Sequence, residues 1–344
     1  MWTPPELRAV LGHEDGTWAA ELFSVTEQGT FEHGASTLQL RGDPRGPGWE
    51  RWLRVRRLLH QAREQRVRPG RDDKVVAAWN GLAVSSLVRA GLLLDEALVD
   101  AAQRVADLLW RVHWVDGALR RASRDGVVGE PAGVLEDYAC VADGFLSLVE
   151  ATADPVWLER AGRLLDAAVE RFAADDGGFH DTAADAEELL VRPRDPADNA
   201  TPSGQSAMLH ALARYAALTG SSRHREVAER ALATIRPLVE QAPRFAGWSL
   251  AAAEMMLDGP REIVVVAADD DPVGEDMARL ARAVPGAVSL VVTPDEVGPH
   301  IPLLEGRSLV DGRATAYVCR KMVCQRPATT AEELRAVLDG QRSE

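Results

Sequence analysis

Three short segments carry most of the chemistry this sequence can offer. They are Arg71-Asp72-Asp73-Lys74-Val75-Val76-Ala77-Ala78-Trp79-Asn80-Gly81-Leu82, Leu135-Glu136-Asp137-Tyr138-Ala139 and Asp198-Asn199-Ala200-Thr201-Pro202-Ser203-Gly204-Gln205-Ser206. Each mixes acids, amides or hydroxyls with an aromatic ring or a glycine, a set that suits a sugar-like small molecule. Carboxylates and amides pair with hydroxyl groups, and Trp or Tyr faces stack on the apolar side of a ring. Glycoside hydrolysis needs two carboxylates about 5–10 Å apart. Asp73 and Asp137 are the candidate catalytic pair, with Asp72 and Glu136 as alternates. Trp79 and Tyr138 are candidate platforms. Asn80, Asn199, Ser203 and Gln205 are candidates to orient hydroxyls, and Lys74 completes the substrate-binding set. A plainer reading stands beside each: Asp72, Asp73, Asp137 and Ser203 as helix caps, Trp79 as core, the asparagines as loop hydrogen-bonders.

Composition sharpens the choice. Of 39 basic residues only Lys74 and Lys321 are lysine, and Asn80 and Asn199 are the sole asparagines. Both asparagines, one of the two lysines and one of three tyrosines fall inside the three segments. The 53 acidic residues outnumber the basic ones to give −14, which argues against a nucleic-acid or anionic-membrane partner. No apolar run is long enough to span a bilayer, and Met1-Trp2-Thr3-Pro4-Pro5-Glu6 lacks the basic start and apolar stretch of a signal peptide. Three cysteines (Cys140, Cys319, Cys324) make no disulfide framework, so a cytoplasmic location is expected.

The elements that must position these residues read as helix after helix. Apolar residues recur at helical spacing over 50–65, 77–94, 97–112, 136–151, 155–173, 203–219, 222–240 and 246–257. Pro155 after Asp154 and Pro202 after Thr201 mark helix starts. Asp73, Asp137 and Thr201, spaced 64 and 64 residues apart, each open a helical pair. Such pairs cannot bury their apolar faces alone and must stack on neighbours. Stacking gathers loops of one kind on one face, which turns three distant segments into one pocket.

After Gly259-Pro260 the texture changes. Strands are expected over 261–268, 288–293 and 314–319, with a helix near 273–283 and a last one near 330–339. Strand, helix, strand implies a parallel crossover. The expected fold is mainly α, a partial (α/α) toroid of helical hairpins with a small C-terminal α/β lobe. Its divisions are an irregular segment over 1–48, hairpins over 49–258 and the lobe over 259–344. Cys319 and Cys324 have C-x4-C spacing after a strand. They lack the C-x-x-C spacing of a redox pair at a helix start, so ordinary thiols or a structural cross-link are expected. No metal set and no cofactor motif is visible, and Asp269-Asp270-Asp271 reads as a solvated loop.

The stretches Arg71 to Leu82, Leu135 to Ala139, Gly177 to Phe179 with Asp185-Ala186-Glu187, and Thr201 to Ser206 resemble the YyaL-type, spermatogenesis-associated thioredoxin-like family. Ala314-Thr315-Ala316-Tyr317-Val318-Cys319 through Cys324-Gln325-Arg326-Pro327, Trp2 to Leu7 and Gly29 to Glu32 extend the resemblance over nearly the whole chain. It implies a thioredoxin-like domain followed by a six-hairpin toroid similar to N-acylglucosamine 2-epimerase and six-hairpin glycosidases. The present sequence corresponds to the toroid's later part, without the thioredoxin-like domain. A fragment, or a partner chain completing the toroid through its open ends, is therefore expected, together with poor behaviour as an isolated monomer. The implied function is carbohydrate-related, with a non-catalytic interaction module or an inactive fragment as the alternative. A toroid epimerase would use a histidine pair. None of the eight histidines lies in the three segments; His210 shares a helical face with Ser203, and His180 sits in a turn expected at the opposite rim.

Overall fold

The computed structural model describes residues 1–187, 189–257 and 259–340. It divides into two compact units, Met1–Asp72 and Asp73–Glu344. The first contains α1 (Pro4–Leu11), α2 (His13–Leu22) and α3 (Trp49–Glu64). Thr3 and Glu6 cap α1 reciprocally, the Thr3 N–H donating to Glu6 at 2.7 Å. Trp2, Leu7, Ala19, Phe23, Val25, Val55 and Leu59 form a core of their own. Asp15 fixes α2 to α3 through Arg51 and Arg54, each at 2.7 Å. Helix α3 thus closes this unit, which runs to Asp72.

The second unit opens with β1 (Val75–Val76), α4 (Ala77–Leu93) and α5 (Ala97–Leu108), the last continuing as a wider helical turn to His113. Four short strands follow: β2 (Trp114–Val115), β3 (Ala118–Leu119), β4 (Ala122–Arg124) and β5 (Val127–Val128). β2 pairs with β3, while β1, β4 and β5 form an antiparallel ribbon. Then come α6 (Leu135–Thr152), α7 (Pro155–Phe172), α8 (Gly204–Thr219), α9 (Ser222–Ala233), α10 (Arg236–Gln241) and α11 (Gly247–Leu257). The single helix expected over 222–240 breaks at Thr234–Ile235, just before Pro237, which lacks the N–H a continuous helix needs.

These helices build the expected partial α/α toroid. The first helices of the pairs, α4, α6 and α8, lie side by side, with α11 next in line. Each second helix leans on its own partner and on the next inner helix: α5 on α4 and α6, α7 on α6 and α8, α9 on α8 and α11. Helix α6 is central, with thirteen of its eighteen residues buried. Burying a side chain such as Phe145, Leu146 or Leu148 contributes about 1.5–3 kcal/mol. Gly81 on α4 and Gly144 on α6 allow these helices to touch. A Cβ at Gly81 would lie 2.4 Å from the Cys140 carbonyl oxygen, and one at Gly144 would lie 2.8 Å from that of Gly81.

The C-terminal lobe joins β6 (Arg261–Val266), α12 (Pro272–Arg282), β7 (Val288–Val292), β8 (Thr315–Arg320), β9 (Val323–Cys324) and α13 (Ala331–Gly340). The strand order is β7-β6-β8-β9, with β6 parallel to β7, as the crossover predicts, and antiparallel to β8. Strand alternation splits the sheet's faces. Val264, Val266, Val288, Leu290, Tyr317 and Cys319 join the helical core, while Ile263, Val265, Ala316 and Val318 pack with Met277, Ala281, Leu334 and Leu338. The lobe therefore shares the core of the hairpins. No helix among the described residues is long and apolar enough to cross a membrane.

Candidate functional site

Paired helices run antiparallel, so the end of each second helix returns to the start of the first. The starts of α4, α6 and α8 and the segments over 114–134, 173–187 and 189–203 consequently share one rim of the second unit. The Leu135 N–H donates to the Asp181 carbonyl at 3.0 Å, and the Ala78 N–H donates to Asp137 Oδ1 at 3.0 Å. His180 lies in that returning loop, on the same rim as the α6 start and not the opposite one.

The rim brings together the first two sequence segments. Asp137 is fully buried, and its carboxylate accepts the Ala78 N–H, the Val134 N–H at 2.9 Å and Arg121 Nη1 at 3.0 Å. Burial raises its carboxyl above the ordinary value, against those same three donors. With its oxygens so engaged and no solvent exposure, Asp137 is a cap that ties α4 to α6, not a group that meets a substrate. Tyr138 is likewise fully buried. Its ring packs edge-on against Phe172 and Trp114, and its hydroxyl accepts from the Leu119 N–H at 2.8 Å and Arg171 Nη1 at 2.6 Å. It is core, not a platform.

The third segment turns inward too. The Asp198 carboxylate accepts the Ser203 N–H at 2.9 Å, the Ser206 hydroxyl at 2.5 Å and the Trp248 N–H at 2.8 Å, joining the starts of α8 and α11. Ser203 caps α8 by accepting the Ser206 N–H at 3.1 Å. Gln205 is buried toward α9, its amide donating to Thr234 Oγ1 at 2.8 Å. Asn199 is exposed and accepts the Ala200 N–H at 2.9 Å. Ser203 and Gln205 are thus taken up inside the rim, while Asn199 stays on its surface.

What faces outward is a smaller set. Trp79 is 61% exposed, next to the clamped Ala78 amide. Asn80 donates to the Val76 carbonyl at 2.8 Å, holding the first turn of α4. Asp73 pairs with Arg124 at 2.8 Å at the edge of the ribbon. Lys74 is exposed beside it, and Asp72 is the last residue of the first unit. Glu136 is partly exposed and holds Arg121 Nη2 at 2.9 Å.

Two rim groups carry no mark in the sequence. Arg121 bridges Glu136 and Asp137. Asp181 is half-buried, and burial raises its carboxyl above the ordinary value; the Asp195 N–H opposes this, and the Asp195 and Glu136 charges add to it. Around Asp181, His180 Nδ1, Thr182 Oγ1 and Arg192 Nε are buried without a hydrogen-bond partner among the described residues. The Gly177-Gly178-Phe179 turn preceding them is the one sequence signal for this cluster.

A second polar cluster crosses the middle of the inner helices. Arg214 binds Asp143 and, at 2.6 Å, Glu150, while the Ser85 hydroxyl donates to Asp143 at 2.9 Å. His210 bonds the Trp248 carbonyl at 3.0 Å, and burial lowers its imidazole below the ordinary value. This network fastens α4, α6 and α8 together.

The chain is 32% identical to rat spermatogenesis-associated protein 20 over 301 residues and 30% identical to the human protein over 305, covering 81% of this chain in each case. Four-fifths of the chain is homologous to spermatogenesis-associated protein 20. It spans 38% of the length of those relatives. No family model matches the chain. Solved structures similar to it include cellobiose 2-epimerase from Spirochaeta thermophila, at 18% identity and TM-score 0.41 over 48% of this chain and 45% of that one. Another is the GH76 α-mannanase of Bacteroides thetaiotaomicron, at 16% identity and TM-score 0.45 over 55% and 54%.

Proposed function

We propose that the rim of the second unit binds a sugar-like, polyhydroxylated ligand, with Glu136 and Asp181 as its acid/base pair and Trp79 as its stacking surface. The observation that carries this reading is the trio of unpartnered buried polar atoms on His180, Thr182 and Arg192 around Asp181. Buried donors and acceptors are costly unless satisfied, and a ligand rich in hydroxyls satisfies them. A raised carboxyl beside one held by an arginine is the division of labour between acid and anion in sugar chemistry. This moves the acid pair away from Asp73 and Asp137; Asp73 and Lys74 remain ligand-contacting groups at the edge.

The interaction-module reading is supported by the far end of α4, where Leu93 and Leu94 are 65% and 84% exposed. In that reading a partner chain covers the helix. The two readings separate in one experiment. Binding of mono- and disaccharides is measured by calorimetry for the unaltered chain, Trp79→Ala and Asp181→Asn. Expected are binding by the unaltered chain and about tenfold weaker binding by Trp79→Ala. Absence of any saccharide binding, or binding untouched by both substitutions, overturns the proposal.

A further inference from the structure

The β8–β9 hairpin holds a reactive pair that the rim does not use. Lys321 and Met322 form its two-residue turn with φ of 50° and 67°, which sets Cys319 directly opposite Cys324. Their Cα atoms are 3.8 Å apart and their sulfurs are bridged. The loop so closed is short, and the hairpin register already holds its ends together. Little chain entropy is removed by stapling it, so stability is a weak reason for the bridge.

The surroundings of the two sulfurs differ. Cys319 is 1% exposed in the core, while Cys324 is only partly buried. Arg307 Nη2 lies 3.7 Å from Cys319 Sγ, its guanidinium sits over the Tyr317 ring at 5.3 Å, and its buried Nε has no hydrogen-bond partner among the described residues. Glu262 pairs with Cys319 across the strands, but its carboxylate accepts the Met322 N–H at 2.8 Å. The cation is thus directed at the inner sulfur and the acid at the turn.

We propose that Cys319–Cys324 is a thiol–disulfide exchange site for dithiols, in which Arg307 stabilises Cys319 as the leaving thiolate. A dithiol's thiolate attacks Cys324 Sγ, the Cys319–Cys324 bond breaks, and Cys319 departs as a thiolate beside Arg307. The second thiol of the substrate then attacks the mixed disulfide and releases Cys324. The pair gains two electrons, the dithiol becomes its own disulfide, and its two protons end on the cysteines. Arg307 takes the part that a helix N-terminus plays in C-x-x-C proteins.

The test treats the folded full chain with dithiothreitol, quenches with iodoacetamide and locates the label by peptide mass spectrometry. Cys140 is buried and its thiol is pushed well up by burial, so it stays unlabelled in the folded chain. Expected is labelling of Cys324 only after dithiothreitol, with buried Cys319 protected as Cys140 is, loss of that labelling when oxidised glutathione is added before the quench, and about tenfold slower opening in Arg307→Gln with recovery in Arg307→Lys. A bridge that opens only in denaturant, thiols that oxidised glutathione does not close, or equal opening rates in Arg307→Gln and the unaltered chain overturn the proposal.

Discussion

The Asp137 carboxylate receives the amide hydrogen of Ala78 at 3.0 Å, joining the first turns of two neighbouring inner helices. This bond makes the rim one surface, because it fixes where Trp79 stands relative to the start of α6. Removing it exposes the cost of a buried group left without its partner. Asp137→Asn cannot accept from all three donors as a charged carboxylate, and it leaves Arg121 beside a neutral side chain. Urea unfolding is expected to show a loss of about 2–4 kcal/mol. Unchanged stability with altered ligand response would return Asp137 to the role of a reacting group.

Tyr138→Phe tests the second inward-turned residue. The substitution keeps the ring, and with it the contacts to Phe172 and Trp114, but orphans the Leu119 N–H and one Arg171 donor. A loss of about 1–3 kcal/mol in unfolding free energy is expected. Saccharide binding should be nearly unaltered, whereas a platform role predicts the reverse pattern.

Gly81→Ala probes the closest approach in the arc. Its methyl group would meet the Cys140 carbonyl at 2.4 Å, a backbone contact that no side-chain rotation relieves. The helices must separate, at a cost of about 1–3 kcal/mol in thermal or urea unfolding. A variant as stable as the unaltered chain would show that α4 and α6 do not meet there.

Helix periods made the arc legible. The expected 77–94, 136–151 and 155–173 are the observed Ala77–Leu93, Leu135–Thr152 and Pro155–Phe172, because one apolar face per helix is what stacking in pairs requires. The two- and three-residue strands between Trp114 and Val128 were not legible, since they are too short to show an alternation. The site was half legible for a related reason. Sequence marks Glu136, Asp137 and Tyr138 alike, but α6 is covered on nearly every side, so only Glu136 reaches solvent. Arg121 and Asp181 reach the rim through returning loops, and only the folded connectivity places them beside residue 136.

Asp181 gives the rim a pH signature whose sign follows from its burial. Its carboxyl ionises at higher pH in the folded chain than in the unfolded one, where about 3.9 is usual. Between those two values the folded chain keeps a proton that the unfolded chain has released. Its stability contribution therefore falls as pH rises through that window and is constant above it. Asp181→Asn cannot ionise, and its amide oxygen still accepts the Asp195 N–H that now bonds Asp181 at 2.9 Å. Stability measured by urea unfolding at successive pH values from about 4 to 7 should thus favour the variant increasingly over the unaltered chain. A tenfold difference in proton affinity between the folded and unfolded carboxyl corresponds to about 1.4 kcal/mol, and solvent screening at a half-buried site reduces it. A difference that stays flat, or that shrinks as pH rises, would mean Asp181 is ionised as readily in the folded chain as in the unfolded one. The raised proton affinity on which its acid role rests would then be absent, and that role would pass to another group.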